Sequence, residues 1–253
     1  MKKVHFIMQA KGGVGKSFIA IILAQYLIEK KGSMSLFDTD PSNQTFFETS
    51  ALNVRYIDLM SKNNYQVDIA KFDLMYSLIL SAPNDVLIDS GSSSYIQLFS
   101  YLTADFAASM MMDDAIEMIV HVPVIGGESR EVCFEKLYEL VKALPDAKFV
   151  LWLNNYPTSV FKEVDDDCLE KEKYFIRSKD RLSAIVSMPE FNEGTFGYAL
   201  KQLMDNHKLF NEVLEPNKII NFGNRPITSI EKFRLKIIKQ KIWESISVLD
   251  ELL

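Results

Sequence analysis

Lys11-Gly12-Gly13-Val14-Gly15-Lys16-Ser17 stands two residues after the apolar run Val4 to Met8. It precedes a stretch in which Ile19, Ile22, Leu23, Tyr26 and Leu27 recur at helical spacing. Gly32 closes that stretch, and a second apolar run follows from Met34 to Phe37. The spacing predicts a buried strand, a glycine loop, a helix ended by a left-handed glycine, and a second strand. A glycine-rich loop between a strand and a helix is the setting a phosphate needs. Glycines let the backbone curl until successive N–H groups converge on anionic oxygens, and the helix N-terminus adds its positive dipole end.

The main-chain donors expected on this reading are those of Gly12, Gly13, Val14, Gly15, Lys16, Ser17 and Phe18. The Lys16 ammonium would reach the β and γ phosphates of a nucleotide, and the Ser17 hydroxyl would ligate Mg²⁺ beside them.

Further runs, Asp85 to Ile88, Ile116 to Val124, Phe149 to Leu153 and Ala184 to Ser187, alternate with helical patterns and read as strands. No repeat, low-complexity tract or linker interrupts them. The fold class expected is therefore α/β, a doubly wound, mostly parallel sheet flanked by helices. Residues 1–253 are read as a single domain. The length of 253 residues and an apolar share of 48% are enough to bury such a core and exclude a disordered or fibrous chain.

With 28 cationic and 34 acidic side chains the net charge is −6, so any nucleic-acid contact must be a local patch. Cys133 and Cys168 are too far apart for a paired redox motif, which favours a reducing compartment. The longest apolar run, Phe18 to Ala24, is too short to span a bilayer.

Ala10 stands where the general phosphate-loop pattern has a glycine, with an extra lysine, Lys11, beside it. In this form the loop resembles the deviant Walker A loop of the ParA/MinD family of dimeric ATPases. The resemblance implies that Lys11 crosses a dimer interface to the partner's nucleotide, where a cation would neutralise charge developing in phosphoryl transfer. Asp38-Thr39-Asp40-Pro41 is similar to the family's first switch, with Asp40 orienting the attacking water and Asp38 holding the Mg²⁺ shell. Val86-Leu87-Ile88-Asp89 resembles a Walker B strand with Asp89 on the metal. The following Ser90-Gly91-Ser92-Ser93-Ser94 departs from the family's Pro-containing loop.

Trp152-Leu153-Asn154 and Met188-Pro189 are similar to the segments that place Asn154 and Pro189 around adenine, and Thr195-Phe196-Gly197 resembles the family's Ser-Phe-Gly. The likeness runs from about Met1 to Ala199. Within the family the set looks most similar to the TraL ATPases of conjugative plasmid transfer.

His5 and His121 lie in apolar runs and His207 after a helical pattern; none has metal-ligand spacing, and no chemistry is assigned to them. The acidic stretch with Glu163, Asp165, Asp166, Asp167 and Glu170 reads as a solvated connector rather than a calcium loop. Met110, Met111 and Met112 offer either core filling or an adaptable contact surface. From about 227 to 253 a helix carries Leu235, Ile238, Ile242, Ile246, Leu249 and Leu253 on one stripe, flanked by Lys232, Arg234, Lys236, Lys239 and Lys241. That helix either packs on the sheet or meets DNA or an anionic membrane through residues 230–253.

The resemblance thus implies a cytoplasmic Mg-ATP-dependent switch ATPase. It would dimerise through its nucleotide face, turn ATP over slowly, and act in plasmid conjugative transfer with that machinery, with recruitment to the inner membrane or plasmid DNA. The rival is a ParA-type partition or MinD-type positioning ATPase. A kinase lacks an acceptor lid here, and an iron–sulfur carrier lacks paired cysteines.

Overall fold

The computed structural model describes residues 1–61, 67–155, 166–216 and 218–253. Seven strands form one sheet: β1 (Lys2–Ile7), β2 (Ser35–Asp38), β3 (Arg55–Tyr56), β4 (Val86–Asp89), β5 (Ile116–Val124), β6 (Lys148–Leu153) and β7 (Leu182–Ser187). Their order is β3-β2-β4-β1-β5-β6-β7, and every neighbouring pair is parallel. The sheet is therefore wholly parallel where the sequence predicted mostly parallel. A separate antiparallel pair, β8 (Asn221–Phe222) and β9 (Arg225–Pro226), stands apart from it.

Ten α-helices are assigned among the described residues. They are α1 (Lys16–Lys31), α2 (Thr45–Glu48), α3 (Ala70–Ser81), α4 (Tyr95–Thr103), α5 (Ala107–Asp113), α6 (Arg130–Ala143), α7 (Lys173–Ser178), α8 (Tyr198–Asp205), α9 (Phe210–Leu214) and α10 (Ser229–Ile246).

Helices cover both faces of the sheet, which is why its strands read as unbroken apolar runs. Val4, Phe6, Ile88, Val120 and Leu151 face a core shared with α3 to α7. Ile7, Leu87, Ile119, Val150 and Trp152 face a second core shared with α1, α2, α8, α9 and α10. Successive strand residues point to opposite sides, so the central strands feed both cores in alternation, whereas β7 at the edge buries Ala184 and Val186 in the second core and leaves Ile185 exposed.

The six strands expected from sequence are present, Ile116–Val124 with both ends unchanged and the others with ends moved by at most two residues. β3 and the β8–β9 pair, at two residues each, are too short to show a period. The C-terminal helix starts one residue after Thr228, whose hydroxyl accepts from the Glu231 N–H at 3.2 Å while Glu231 accepts from the Thr228 N–H at 2.9 Å. This reciprocal cap fixes the start of α10. Leu235, Ile238, Ile242, Ile246 and Leu249 are all buried, so the apolar stripe packs in the second core. That stripe is therefore turned to the protein interior, not to a membrane.

His5 and His121 are core residues. The Trp152 indole N–H donates to His121 Nδ1 at 2.9 Å, and His121 Nε2 meets His5 Nδ1 at 2.9 Å. Burial holds His5 down at about 3 and His121 well below the usual imidazole range, so both rings are neutral. Trp152 donating to Nδ1 then puts the His121 proton on Nε2, where it donates to His5. Glu163 and Asp165 of the acidic connector lie outside the described residues, as do the side chains of Asp166, Asp167 and Cys168.

Candidate functional site

The chain leaves β1 for β2 on one side of the sheet and continues from β5 to β6 on the other. A crevice opens at such a reversal, at the carboxyl ends of the strands. β4 lies between β2 and β1, with Asp38 in register with Asp89 and Asp89 with Ile7. The glycine loop leaves β1 at that point, so the loop and both aspartates share one rim.

Gly15 caps α1 at φ 85°, and Gly13 sits at φ 74°. Both are left-handed, a conformation that side-chain-bearing residues adopt only with strain. At Gly15 space is also closed: a Cβ there would lie 2.4 Å from Asn154 Nδ2. Asn154 donates from Nδ2 to the Val14 carbonyl at 2.9 Å, and its own N–H bonds the Val124 carbonyl at 2.8 Å. The residue proposed for adenine therefore also fastens the glycine loop to the ends of β5 and β6. Its neighbour Asn155 donates to the Met188 carbonyl at 2.8 Å, joining that corner to the step before Pro189.

Lys16 is buried, and its ammonium turns back over the loop to the Lys11 carbonyl at 3.4 Å. Burial lowers this ammonium, opposed by the charges of Asp89 and Asp40 nearby. Asp89 is 1% exposed, and neither of its carboxylate oxygens has a hydrogen-bond partner. Burial, with the charge of Asp38, pushes Asp89 up to about 8, although the Ser17 hydroxyl and Lys16 pull the other way. A fully buried carboxylate with both oxygens open is costly unless a cation joins it. Asp89 and Ser17 thus offer oxygen ligands to a divalent metal, and the Lys16 ammonium beside them a cation for phosphate oxygens.

Asp38 is placed differently. Its Oδ1 accepts from the Asp40 N–H and its Oδ2 from the Phe47 N–H, both at 2.9 Å. Burial still raises it to about 6. Asp38 therefore anchors the switch segment to the end of β2, leaving only its remaining lone pairs for a metal's water shell. Asp40 Oδ1 accepts from the N–H groups of Ser42 at 2.8 Å and Asn43 at 3.2 Å, a local turn that orients the carboxylate.

The serine-rich loop after β4 closes the site. Ser90 donates to the Ile7 carbonyl at 2.6 Å, clamping β4 to β1. Gly91 has no room for a side chain, because a Cβ would lie 2.6 Å from Asp40 Oδ1 and 3.0 Å from Asp40 Cα. Ser92 lies against Gly12, and Ser42 donates to Ser93 at 3.4 Å. Phosphate loop, switch and serine loop therefore meet at one place. Ser90 and Gly91 thereby join the candidate site; the sequence pointed to a switch in this loop without giving either residue a role of its own. The signal present was a glycine two residues past the Walker B-like aspartate.

Lys11 is exposed at the outer edge of the loop, as a residue reaching across an interface requires. Behind the loop, the Gln9 side chain holds the Pro123 carbonyl at 3.0 Å and the Cys133 carbonyl at 3.3 Å. Cys133 is a buried free thiol, raised above its usual range by that burial. Phe18 packs partly buried against the second core, and Thr195-Phe196-Gly197 lies in a π-helical turn, Glu193–Gly197, capped by Asn192 and leading into α8. Among the described residues no group of three His, Cys, Asp or Glu side chains is placed to hold a metal unaided.

The sequence matches the family described as the CobQ/CobB/MinD/ParA nucleotide binding domain over residues 5–188. It is 33% identical over 244 residues to a TraL protein of Escherichia coli, covering 96% of each chain. A second Escherichia coli TraL protein is 32% identical over 247 residues, covering 97% of this chain and 98% of the relative. Among solved structures, the MinD cell division protein of Aquifex aeolicus superposes with a TM-score of 0.54 at 13% identity, over 99% of this chain and 98% of that one. A putative plasmid partition protein of Borrelia burgdorferi bound to AMPPNP gives 0.50 at 17% identity over the whole of both chains. At such identities the structural matches establish the shared fold.

Proposed function

This chain belongs to the CobQ/CobB/MinD/ParA nucleotide-binding family, and on that premise we propose that it is a Mg-ATP-dependent dimerising switch that hydrolyses ATP to ADP and phosphate. The observation that carries this reading is the pairing of the glycine cradle with Asp89, a buried carboxylate whose two oxygens are open beside Lys16 and Ser17. A Mg²⁺ ion held by Ser17 and Asp89 would supply charge neutralisation at the phosphates.

The protein's own groups do the rest. Main-chain N–H groups from Gly12 to Phe18 bind the phosphates, and Lys16 fixes the terminal one. Asp40, oriented by Ser42 and Asn43, positions the attacking water. Lys11 of a second copy would complete charge neutralisation, which ties turnover to dimerisation. Asn154 and Pro189 are proposed to flank the base.

Similarity to TraL proteins over nearly the whole chain supports the reading that it acts in plasmid conjugative transfer, in the cytoplasm with recruitment to the inner membrane or plasmid DNA. Residues 1–253 act as one ATPase unit on this reading. No helix among the described residues is long and apolar enough to cross a membrane. Size-exclusion chromatography with light scattering, in ADP and in a nonhydrolysable ATP analogue, tests the proposal. At high salt, a two-chain species only with the triphosphate is expected, and one mass in both nucleotides would overturn the dimerising switch.

A further inference from the structure

Charge and exposed apolar surface are divided between the two faces of the sheet. From Lys71 to Arg130 the chain holds no lysine or arginine between those two residues, while Asp73, Asp105, Asp113 and Asp114 are all exposed there. These acids border α3 and α5, which are stapled together: Tyr76 donates to Asp114 at 2.5 Å, and Tyr101 of α4 donates to Asp73 at 3.0 Å. On the outer side of α5, Phe106 and Met110 lie one turn apart at 68% and 47% exposure. Phe106 also sits at φ 61°, a left-handed conformation strained for an aromatic residue. A strained, exposed aromatic between acidic groups suggests a contact surface.

The opposite face carries the complement. α10 turns one stripe into the core, and its outer side presents Ile230 and Phe233, each 63% exposed, with Arg234, Lys236 and Lys241 beside them. A phosphate backbone accounts for those cations but not for the two apolar side chains. A membrane accounts for this face but leaves the acidic apolar one unexplained. A single contact accounts for both.

We infer that copies of this chain associate head to tail, the basic outer face of α10 resting on the acidic α3–α5 face of the next copy. Phe233 and Ile230 meet Phe106 and Met110, with lysine and arginine opposite aspartate. The two faces differ and lie on opposite sides of the sheet, so the contact is heterologous and leaves a free face at each end of a pair to which further copies add. It is separate from the nucleotide rim and independent of the switch reading.

Light scattering of the full chain without nucleotide or magnesium, over a range of concentrations at low and high salt, tests the inference. At low salt the mass should climb past two chains, and high salt should return it to one. Phe233→Ser with Lys236→Glu blunts one face, and Phe106→Asn with Met110→Ser blunts the other. Each variant alone should stay a single chain, whereas an equal mixture should stop at two, because one intact pair of faces remains. Ile230→Ser gives a second route to the same loss if Phe233→Ser disturbs folding. Three outcomes would overturn the inference. One is a wild type that stays single at every salt and concentration. Another is a mixture with no two-chain species. The third is a single-chain wild type whose α10 face instead captures anionic vesicles or double-stranded DNA.

Discussion

Asn154 holds the carbonyl of Val14 through its side-chain amide, a 2.9 Å bond between residues 140 positions apart in the chain. The glycine loop is thus braced from the far side of β5. Asn154→Ala would leave that buried carbonyl without its partner, at about 1–3 kcal/mol. Calorimetry should show ATP affinity lowered about tenfold or more, since about 1.4 kcal/mol is one decade. Gly15→Ala should abolish binding. Adding Asn154→Ala to it should not restore binding, because the clash is relieved but the left-handed backbone is not.

Three substitutions separate the steps of the cycle. Lys16→Ala removes the buried cation from the phosphate site and should eliminate nucleotide binding by calorimetry. Lys11→Ala leaves the cradle intact, so binding should persist while light scattering shows no dimer and phosphate release falls to background. Asp40→Ala should accumulate a two-chain species in ATP that does not turn over. A Lys11→Ala protein that hydrolyses ATP like the parent would sink the interface-crossing role.

Gly91 presses on Asp40, so Gly91→Ala should displace the carboxylate that orients water without touching the loop that binds phosphate. Turnover should drop by an order of magnitude or more, roughly the effect of misplacing a catalytic group by an ångström. Nucleotide affinity should remain within about twofold of the parent, well under the tenfold that about 1.4 kcal/mol represents.

Asp89→Asn trades function for stability. The Asp89 carboxyl is raised to about 8 in the folded protein, far above the unfolded value. The folded state therefore keeps a proton that the unfolded chain has lost, and stability falls as pH rises from about 4 toward 8. Thermal unfolding of the metal-free protein should show the Asp89→Asn variant gaining stability over the parent by about 1–3 kcal/mol at pH 8, and by less at pH 5. Magnesium-dependent ATP turnover should be absent.

The core imidazoles give a pH signature of the opposite sign. His121→Phe leaves the Trp152 N–H without an acceptor and should lower stability by about 1–3 kcal/mol at pH 7.5. Folded-state pKa values for His5 and His121 lie below the unfolded one, so the stability they support is complete above about pH 6.5 and is lost as pH falls. The gap between parent and His121→Phe should therefore narrow below pH 6.5, by up to about 1.4 kcal/mol per pH unit. Urea midpoints measured across that range read it directly.

Much of this site could be read from the chain, because its parts are local. A loop of fixed spelling sits between two periodic segments, and strands ending in Asp38 and Asp89 announce themselves as apolar runs with a terminal carboxylate. The order of the strands could not be read, since nothing local tells β4 to lie between β1 and β2. That order is what sets Asp89 opposite Asp38 and brings Gly91 onto Asp40. Asn154 illustrates the same limit: its bond to Val14 depends on the parallel packing of β5 and β6, which its own neighbourhood in sequence does not record. The apolar stripe of α10 is legible from helical spacing as well, but only tertiary packing shows that it is the second core that covers it.

Helix α1 starts in the glycine loop and ends where Tyr26 and Lys30 both bond Asp250, just beyond α10, at 2.5 and 2.6 Å. At 16 residues it is a rod about 24 Å long. Tilting it by about 5° at the glycine end would carry the far end about 2 Å, a displacement on the scale of known interface shifts. Occupancy at one pole of the molecule would then be felt mechanically at the other, through a single stiff lever.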